Sequence, residues 1–309
     1  MHRKTPSALL ATVIAAVFTV ACGGTPSTGS SPAASSSPKG TLTIAGFAFS
    51  EGSVLAELYG QALAHDGYTV NYKLNLGQRE IVAPALQSGQ IDMYIGYAAT
   101  DLEYYNKGAG EASGDVNATT QKLNGHLQSL NLEALNPSAA ADQNAFAMTK
   151  DNATKYNATK LSDLAAIGNQ LVLGAGAECV QRPFCLPGLE KVYGIHFKAF
   201  KKLDTDGPLT RAAFKNNSIQ VGLVFSSDAD LDSLGLVVLQ DDKHLANADN
   251  VVPIIRTSVA TDEVKKVLNA VSAGLTTTDL VAMNAQVQLQ HMDADQVTKA
   301  YLQQHNYFS

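Results

Sequence analysis

Cysteine and histidine bound the chemistry open to this chain. Three Cys and seven His are spread over 309 residues. The histidines show no H-x-x-x-H spacing, and no further ligand types lie in sequence reach of the cysteines. No metal and no cofactor is therefore expected. There is no G-x-S-x-G turn, and no free thiol remains once Cys179 and Cys185 are oxidised, so nothing points to a nucleophilic enzyme. Those two cysteines frame the segment ECVQRPFC. In an exported chain such a pair reads as a disulfide. So short a loop contributes only about 2–3 kcal/mol. Fixing the shape of the loop matters more.

Export is written at the front. His2, Arg3 and Lys4 precede an apolar run from Leu9 to Val20, and residues 1–21 read as a secretory signal peptide. Cys22 follows directly. Thr19-Val20-Ala21-Cys22 resembles the bacterial lipobox, in which the Cys is lipidated and becomes the mature N-terminus. The alternative is a plain secreted protein cut at an Ala-x-Ala-like site. Residues 22–40 are rich in Gly, Ser, Thr and Pro and carry one charge, the composition of a flexible tether. The expected location is extracytoplasmic, lipid-anchored to the outer face of the cell membrane. Removing the leader takes away two basic and no acidic side chains, so the net charge moves from −6 to −8. That balance argues against nucleic acid as a partner and against adhesion to anionic lipid. With one apolar run in the chain, a polytopic membrane protein is excluded.

The elements that must position any site follow from periodicity. Thr41–Ala45 reads as a strand, and Glu51–His65 as a helix with Val54, Leu55, Leu58, Tyr59, Ala62 and Leu63 on one face. Residues 70–76 alternate as a strand. Residues 78–88 read as a helix stopped by Gly89, and 91–95 as a third strand. This β-α-β-α-β order is that of a parallel α/β sheet. A second unit begins near Asn144. It has strands near 145–149, 170–173, 197–203, 219–225, 236–239 and 251–255, with helices at 161–167, 187–193 and 208–216. Three helices close the chain at about 261–274, 277–290 and 293–305. Asp293 with Gln296 has the capping-box pattern. Two α/β lobes packed as one unit leave a cleft, where small ligands usually bind.

Several segments, in order, resemble one family. They are AGFAFSEG, LNLGQRE, PALQSGQIDMYIGYAAT, LPGLEKVYGIHF, DGPLTRAAF, VGLVFSSD, LGLVVLQDDKHL and NVVPIIR. The series resembles the substrate-binding proteins of osmoprotectant ABC importers, of the glycine betaine, choline and carnitine type. It covers nearly all of residues 41–309. The resemblance implies a two-lobed periplasmic binding protein fold of type II, an α/β fold with lobes joined by a two-strand hinge. Residues 41–142 and 243–309 would form lobe 1, and 143–242 lobe 2. It also implies a non-catalytic receptor, a monomer, with the permease subunits of an ABC transporter as its protein partners.

A quaternary ammonium has no N–H to donate, so proteins hold it by aromatic faces. With no Trp in the chain, a cage must be built of Tyr and Phe. By resemblance the cage falls on Tyr97, Phe146 and Phe225. Thr100 and Asn144 lie beside it, and Arg182 is the carboxylate-binding position. Tyr94 is a weaker candidate. Phe47 stands where many members have Lys, Gly52 where they have Gln, and Asp249 where they have a cage Tyr. Asp249 would favour a net cation such as choline, whereas Arg182 would favour a carboxylate. A changed cage holding another cation, a polyamine or a bulkier aromatic compound is the alternative.

Overall fold

The computed structural model describes residues 39–307. The leader, Cys22 and the tether up to residue 38 lie outside the described residues. Among the described residues ten strands form: β1 Thr41–Phe47, β2 Thr69–Gly77, β3 Met93–Tyr97, β4 Leu132–Ala134, β5 Asn144–Thr149, β6 Val172–Ala175, β7 Ala199–Lys202, β8 Val221–Phe225, β9 Leu236–Val238 and β10 Val251–Arg256. Ten α-helices accompany them: α1 Ser50–His65, α2 Arg79–Gln87, α3 Ala98–Tyr105, α4 Val116–Leu127, α5 Lys150–Tyr156, α6 Leu186–Tyr193, α7 Pro208–Lys215, α8 Asp262–Gly274, α9 Thr277–Gln288 and α10 Ala294–Gln304.

The strands make two sheets of five, ordered β2-β1-β3-β10-β4 and β7-β6-β8-β5-β9. In the first, β1 pairs in parallel with β2 and β3, and β10 runs antiparallel to β3 and β4. The second repeats this plan: β6 is parallel to β7 and β8, and β5 is antiparallel to β8 and β9. Parallel neighbours need a crossover connection, which α1 and α2 supply in the first sheet. Each sheet has its own core. Ile44, Met93, Tyr94 and Ile254 pack with Val54, Leu55 and Leu58 of α1. Met148, Leu173 and Leu223 pack with Leu161, Leu164 and Leu189 on the other. A further cluster around Phe214, Ile219 and Val224 lies with the second sheet, so the first sheet's core stands apart from those of the second and two lobes result.

The chain crosses between lobes after β4 and again before β10. The crossings pair with each other through an antiparallel bridge, Ala141 with Asn250. The Asp142 amide donates to the Asp249 carbonyl at 3.0 Å, and the Val251 amide to the Ala140 carbonyl at 2.9 Å. Two strands held side by side can twist as one hinge while both sheets stay rigid.

Local chemistry shifts several elements from their expected places. The third strand runs from Met93 to Tyr97, two residues later than expected, and just before it the Asp92 carboxylate accepts the Thr43 amide at 2.9 Å. Tyr97 thereby becomes the last strand residue and the cap of α3. The expected helix over 161–167, beyond which a 3-10 turn follows at Gly168–Gln170, is itself a single 3-10 turn, Leu161–Leu164. There Asp163 pulls the chain tight by accepting the amides of Thr159 and Lys160. The polar stretch of α4, VNATTQKLNGHL, forms a helix because Asp115 caps it and Leu123 and Leu127 are fully buried. Between Lys73 and Gly77 β2 bulges against β1, with Asn75 in the left-handed region at φ 53°. The bulge delivers Gln78 and Arg79 to the edge of the sheet.

The capping box expected at Asp293 is absent, and no side-chain cap bond forms there. It appears instead at the start of α9, where Thr276 and Asp279 satisfy each other's amides. Thr276→Ala should therefore cost about 1 kcal/mol in urea unfolding, and Asp293→Ala no more than about 0.5 kcal/mol. A larger loss at Asp293 would contradict this assignment.

Candidate functional site

The carboxyl ends of the parallel strands point into the gap between lobes, the edge at which open α/β sheets bind ligands. Phe47 ends β1, Phe49 sits in the turn before α1, and Tyr97 ends β3. Phe225 ends β8 in the other lobe and is paired in register with Asn144. Their rings converge. Phe49 lies 5.0 Å from Phe225, 5.7 Å from Phe47 and 6.5 Å from Tyr97, centroid to centroid. Phe47 and Tyr97 are 6.4 Å apart. These rings line a chamber together with Gln78, Arg79, Thr100, Asp142, Asn144 and Arg182. The chamber holds only 20 Å³, about the room of one water. A second cavity of 510 Å³ lies beyond Thr100 and Asn144, lined by Glu103, Phe184, Leu245 and Asp249 among others.

Gly52 and Phe47 depend on each other. A Cβ at Gly52 would stand 2.6 Å from the Phe47 carbonyl oxygen and 2.9 Å from its Cβ. No side chain fits there while β1 ends as it does.

Under the rings lies a buried carboxylate, Glu51. It accepts from the Tyr97 hydroxyl at 2.5 Å, the Ser227 hydroxyl at 2.6 Å and the Asn284 amide at 2.6 Å. Ser227 follows β8, so one donor comes from the opposite lobe. Burial pushes the Glu51 carboxyl above its ordinary range, against these three bonds, and repulsion from Asp228 adds to it. Asp142, on the hinge, is also buried. It accepts the Ser227 amide at 3.0 Å and the Ser226 hydroxyl at 3.4 Å. Burial, then repulsion from Glu51, holds it well above the carboxylate range. Among the described residues the buried side-chain polar atoms without a partner are Ser50 Oγ and Asn284 Oδ1, one next to Glu51 and one bonded to it through its amide.

Both arginines of the chamber are engaged. Arg79 is buried and makes two bonds to Asp101, at 2.6 and 3.2 Å, while its guanidinium lies 5.1 Å over the Phe47 ring. Tyr94 donates to the same Asp101 at 2.7 Å. Arg182 reaches across the cleft to Glu80 of α2, at 3.0 and 3.2 Å. Burial raises the Glu80 carboxyl, but the bonds and charge of Arg182 outweigh this and hold it below the ordinary range. Cys179 and Cys185 are disulfide-bonded, with Cα atoms 5.1 Å apart, and the loop they close presents Arg182.

The structure brings together Phe47, Tyr97, Thr100, Asn144, Arg182 and Phe225. It does not bring Phe146 there. That ring shares a strand face with Asn144 but lies one repeat further into the lobe and packs in its core. Nor does Asp249 face the rings. Its carboxylate accepts the Thr100 amide and the Thr100 hydroxyl, both at 2.7 Å. It caps the first turn of α3, whose other early amides go to the carbonyls of Ala248 and Asn250. Tyr94 is fully buried behind the site. The sequence reading passes over Phe49, Arg79, Glu51, Asp142 and Ser227. Two of these had a signal: Phe49 is an aromatic two residues beyond a strand end, and Arg79 lies inside LNLGQRE.

Comparison with known proteins agrees with the two-lobed α/β fold. The family described as the substrate binding domain of ABC-type glycine betaine transport systems matches residues 40–304. The glycine betaine-binding protein YehZ of Escherichia coli is 27% identical over 268 residues, covering 82% of this chain and 87% of that protein. A carnitine transport binding protein of Listeria monocytogenes is 25% identical over 280 residues, covering 87% and 88%. The crystal structure of a glycine betaine/carnitine/choline ABC transporter protein superposes with a TM-score of 0.66 at 23% identity, covering 87% of this chain and all of that one.

Asp249 generates a pH test. Burial pushes its carboxyl up from 3.8 to about 6, the Thr100 bonds and the Arg79 charge offsetting only part of this. A raised value favours the neutral form in the fold. Stability from this group is full below the unfolded value and is lost as pH rises through the folded one. A shift of this size corresponds to about 3 kcal/mol. An Asn can keep both contacts with Thr100 if the hydroxyl turns to accept. Asp249→Asn should therefore flatten the fall in melting temperature between about pH 4 and pH 7. An unchanged profile would contradict a buried, titrating Asp249.

Proposed function

Because the chain belongs to the family of substrate-binding domains of ABC-type glycine betaine transport systems, we propose that it captures a quaternary ammonium solute between its lobes and presents it to a membrane permease. The observation that carries this reading is the convergence of four aromatic rings from both lobes. Ring faces are the groups that hold a cation without N–H donors, each worth about 0.5–2 kcal/mol. Phe47, Phe49 and Tyr97 would form the fixed wall and Phe225 the moving one. Thr100 and Asn144 supply polar contacts to the rest of the solute. A carboxylate on the solute would compete with Glu80 for Arg182. Relatives named for glycine betaine and carnitine support the same ligand class.

The chamber is too small for such a solute while Phe49 and Phe225 touch. Loading needs lobe 2 to swing away on the paired crossings, and closure returns Phe225 to the cation. That motion is what a permease can read. We further propose that the receptor is a monomer, anchored through Cys22 on the outer face of the membrane, with residues 23–40 as the tether. The basis for the anchor and tether is the leader pattern in the sequence. A second reading is favoured by the adjoining 510 Å³ cavity: a longer solute could place its far end there.

Calorimetry of the purified protein against glycine betaine, choline and carnitine tests the proposal. At least one should bind, and Tyr97→Ala and Phe225→Ala should each weaken it roughly tenfold. Phe146→Ala should lower stability by about 3–5 kcal/mol and leave affinity nearly unchanged. Silence across the panel would remove the quaternary ammonium reading.

A further inference from the structure

The charges facing the chamber do not cancel. Arg79 is matched by Asp101, and Arg182 by Glu80. Asp142 lines the chamber too, and among the described residues no Lys or Arg lies within ion-pair distance of it. The Ser226 hydroxyl and the Ser227 amide donate to its Oδ1, and the Ser227 hydroxyl also favours the charged form. The other groups around it are acidic or neutral: Glu51 from α1, Asp228 from the loop after β8, and the Tyr97 phenol from β3. Once the two ion pairs are set aside, the chamber is left with acid and no base.

We propose that Asp142 makes this chamber selective for a net cation, an ammonium alcohol of the choline type, over a zwitterion of the betaine type. This inference rests on the quaternary ammonium reading above and narrows it. A desolvated cation on the rings supplies the counter-charge that Asp142 lacks. A zwitterion's own carboxylate keeps Asp142 in its neutral form, so Asp142 supplies no counter-charge to the ammonium, and that carboxylate finds no unpaired base unless Arg182 is first pulled from Glu80. Asp249, expected from the sequence to favour a net cation, is spent on Thr100, and Asp142 is the acid that lines the chamber.

Burial and the neighbouring Glu51 and Asp228 favour the neutral Asp142 when the chamber is closed on itself. A cation favours the carboxylate. Binding then converts a carboxylic acid to a carboxylate paired with the ligand, and the proton leaves to the buffer. Zwitterion binding releases less.

The test is calorimetry of choline and glycine betaine with the purified protein near pH 7, each in two buffers of different ionisation enthalpy. Choline should bind at least tenfold tighter, and its apparent enthalpy should differ between buffers by release of up to about one proton. Asp142→Asn keeps an acceptor for the Ser227 amide. It should abolish the buffer dependence and bring the two affinities within about threefold. Thermal unfolding of the variant checks its fold, and the wild-type buffer dependence stands without it. Betaine binding as tightly as choline would overturn this inference and leave the quaternary ammonium reading in place. So would a choline preference that survives Asp142→Asn, or one without proton release. Failure of both ligands to bind would overturn this inference, and failure of carnitine as well would remove the quaternary ammonium reading with it.

Discussion

A carboxylate buried between two bodies cannot be left without donors, and Glu51 takes its donors from both. Tyr97 and Asn284 come from its own lobe and Ser227 from the other. Stripping a buried charge or polar group of its partners costs on the order of several kcal/mol. The closed arrangement is therefore one in which the Glu51 shell is complete. Opening replaces Ser227 by water. The same carboxylate fixes the Tyr97 hydroxyl, so the lobe contact and the orientation of a wall ring are one event.

Around that point the closed state is held lightly. The Glu80–Arg182 pair lies at the rim, and ion pairs of that exposure contribute about 0–1 kcal/mol. Its job is geometric: the disulfide loop holds Arg182 where it meets Glu80 only when the lobes are together. On the other side, α9 carries Asn284 to Glu51 and Gln288 to Asp228 of the opposite lobe. A receptor that must release its cargo gains from contacts that are numerous and individually weak. The aromatic rings, by contrast, offer a site whose value depends on what fills it.

Much of this was legible in the sequence. Strand and helix periodicity gave the parallel unit at the front, and the ordered segments resembled one family. Tyr97, Thr100 and Phe225 lie in those segments at element ends, where side chains reach a cleft. Phe146 shows the limit: two residues from Asn144 it shares a strand face, but only the end of a strand overhangs the gap. Asp249 shows another. Its partner Thr100 is 149 residues away, and no local pattern says that an acid will cap a remote helix. Glu51 looks like an ordinary acid in a helix's first turn. Its meaning comes from Ser227 and Asn284, which lie 176 and 233 residues along the chain.

The most direct measurement is a crystal structure of the protein grown with choline. The ammonium should lie within about 6 Å of the ring centroids of Phe47, Phe49, Tyr97 and Phe225, with Phe225 displaced from Phe49 and Asp142 facing the cation. Electron density for the ligand in the neighbouring cavity, against Asp249 and Glu103 with the four rings still in contact, would contradict it.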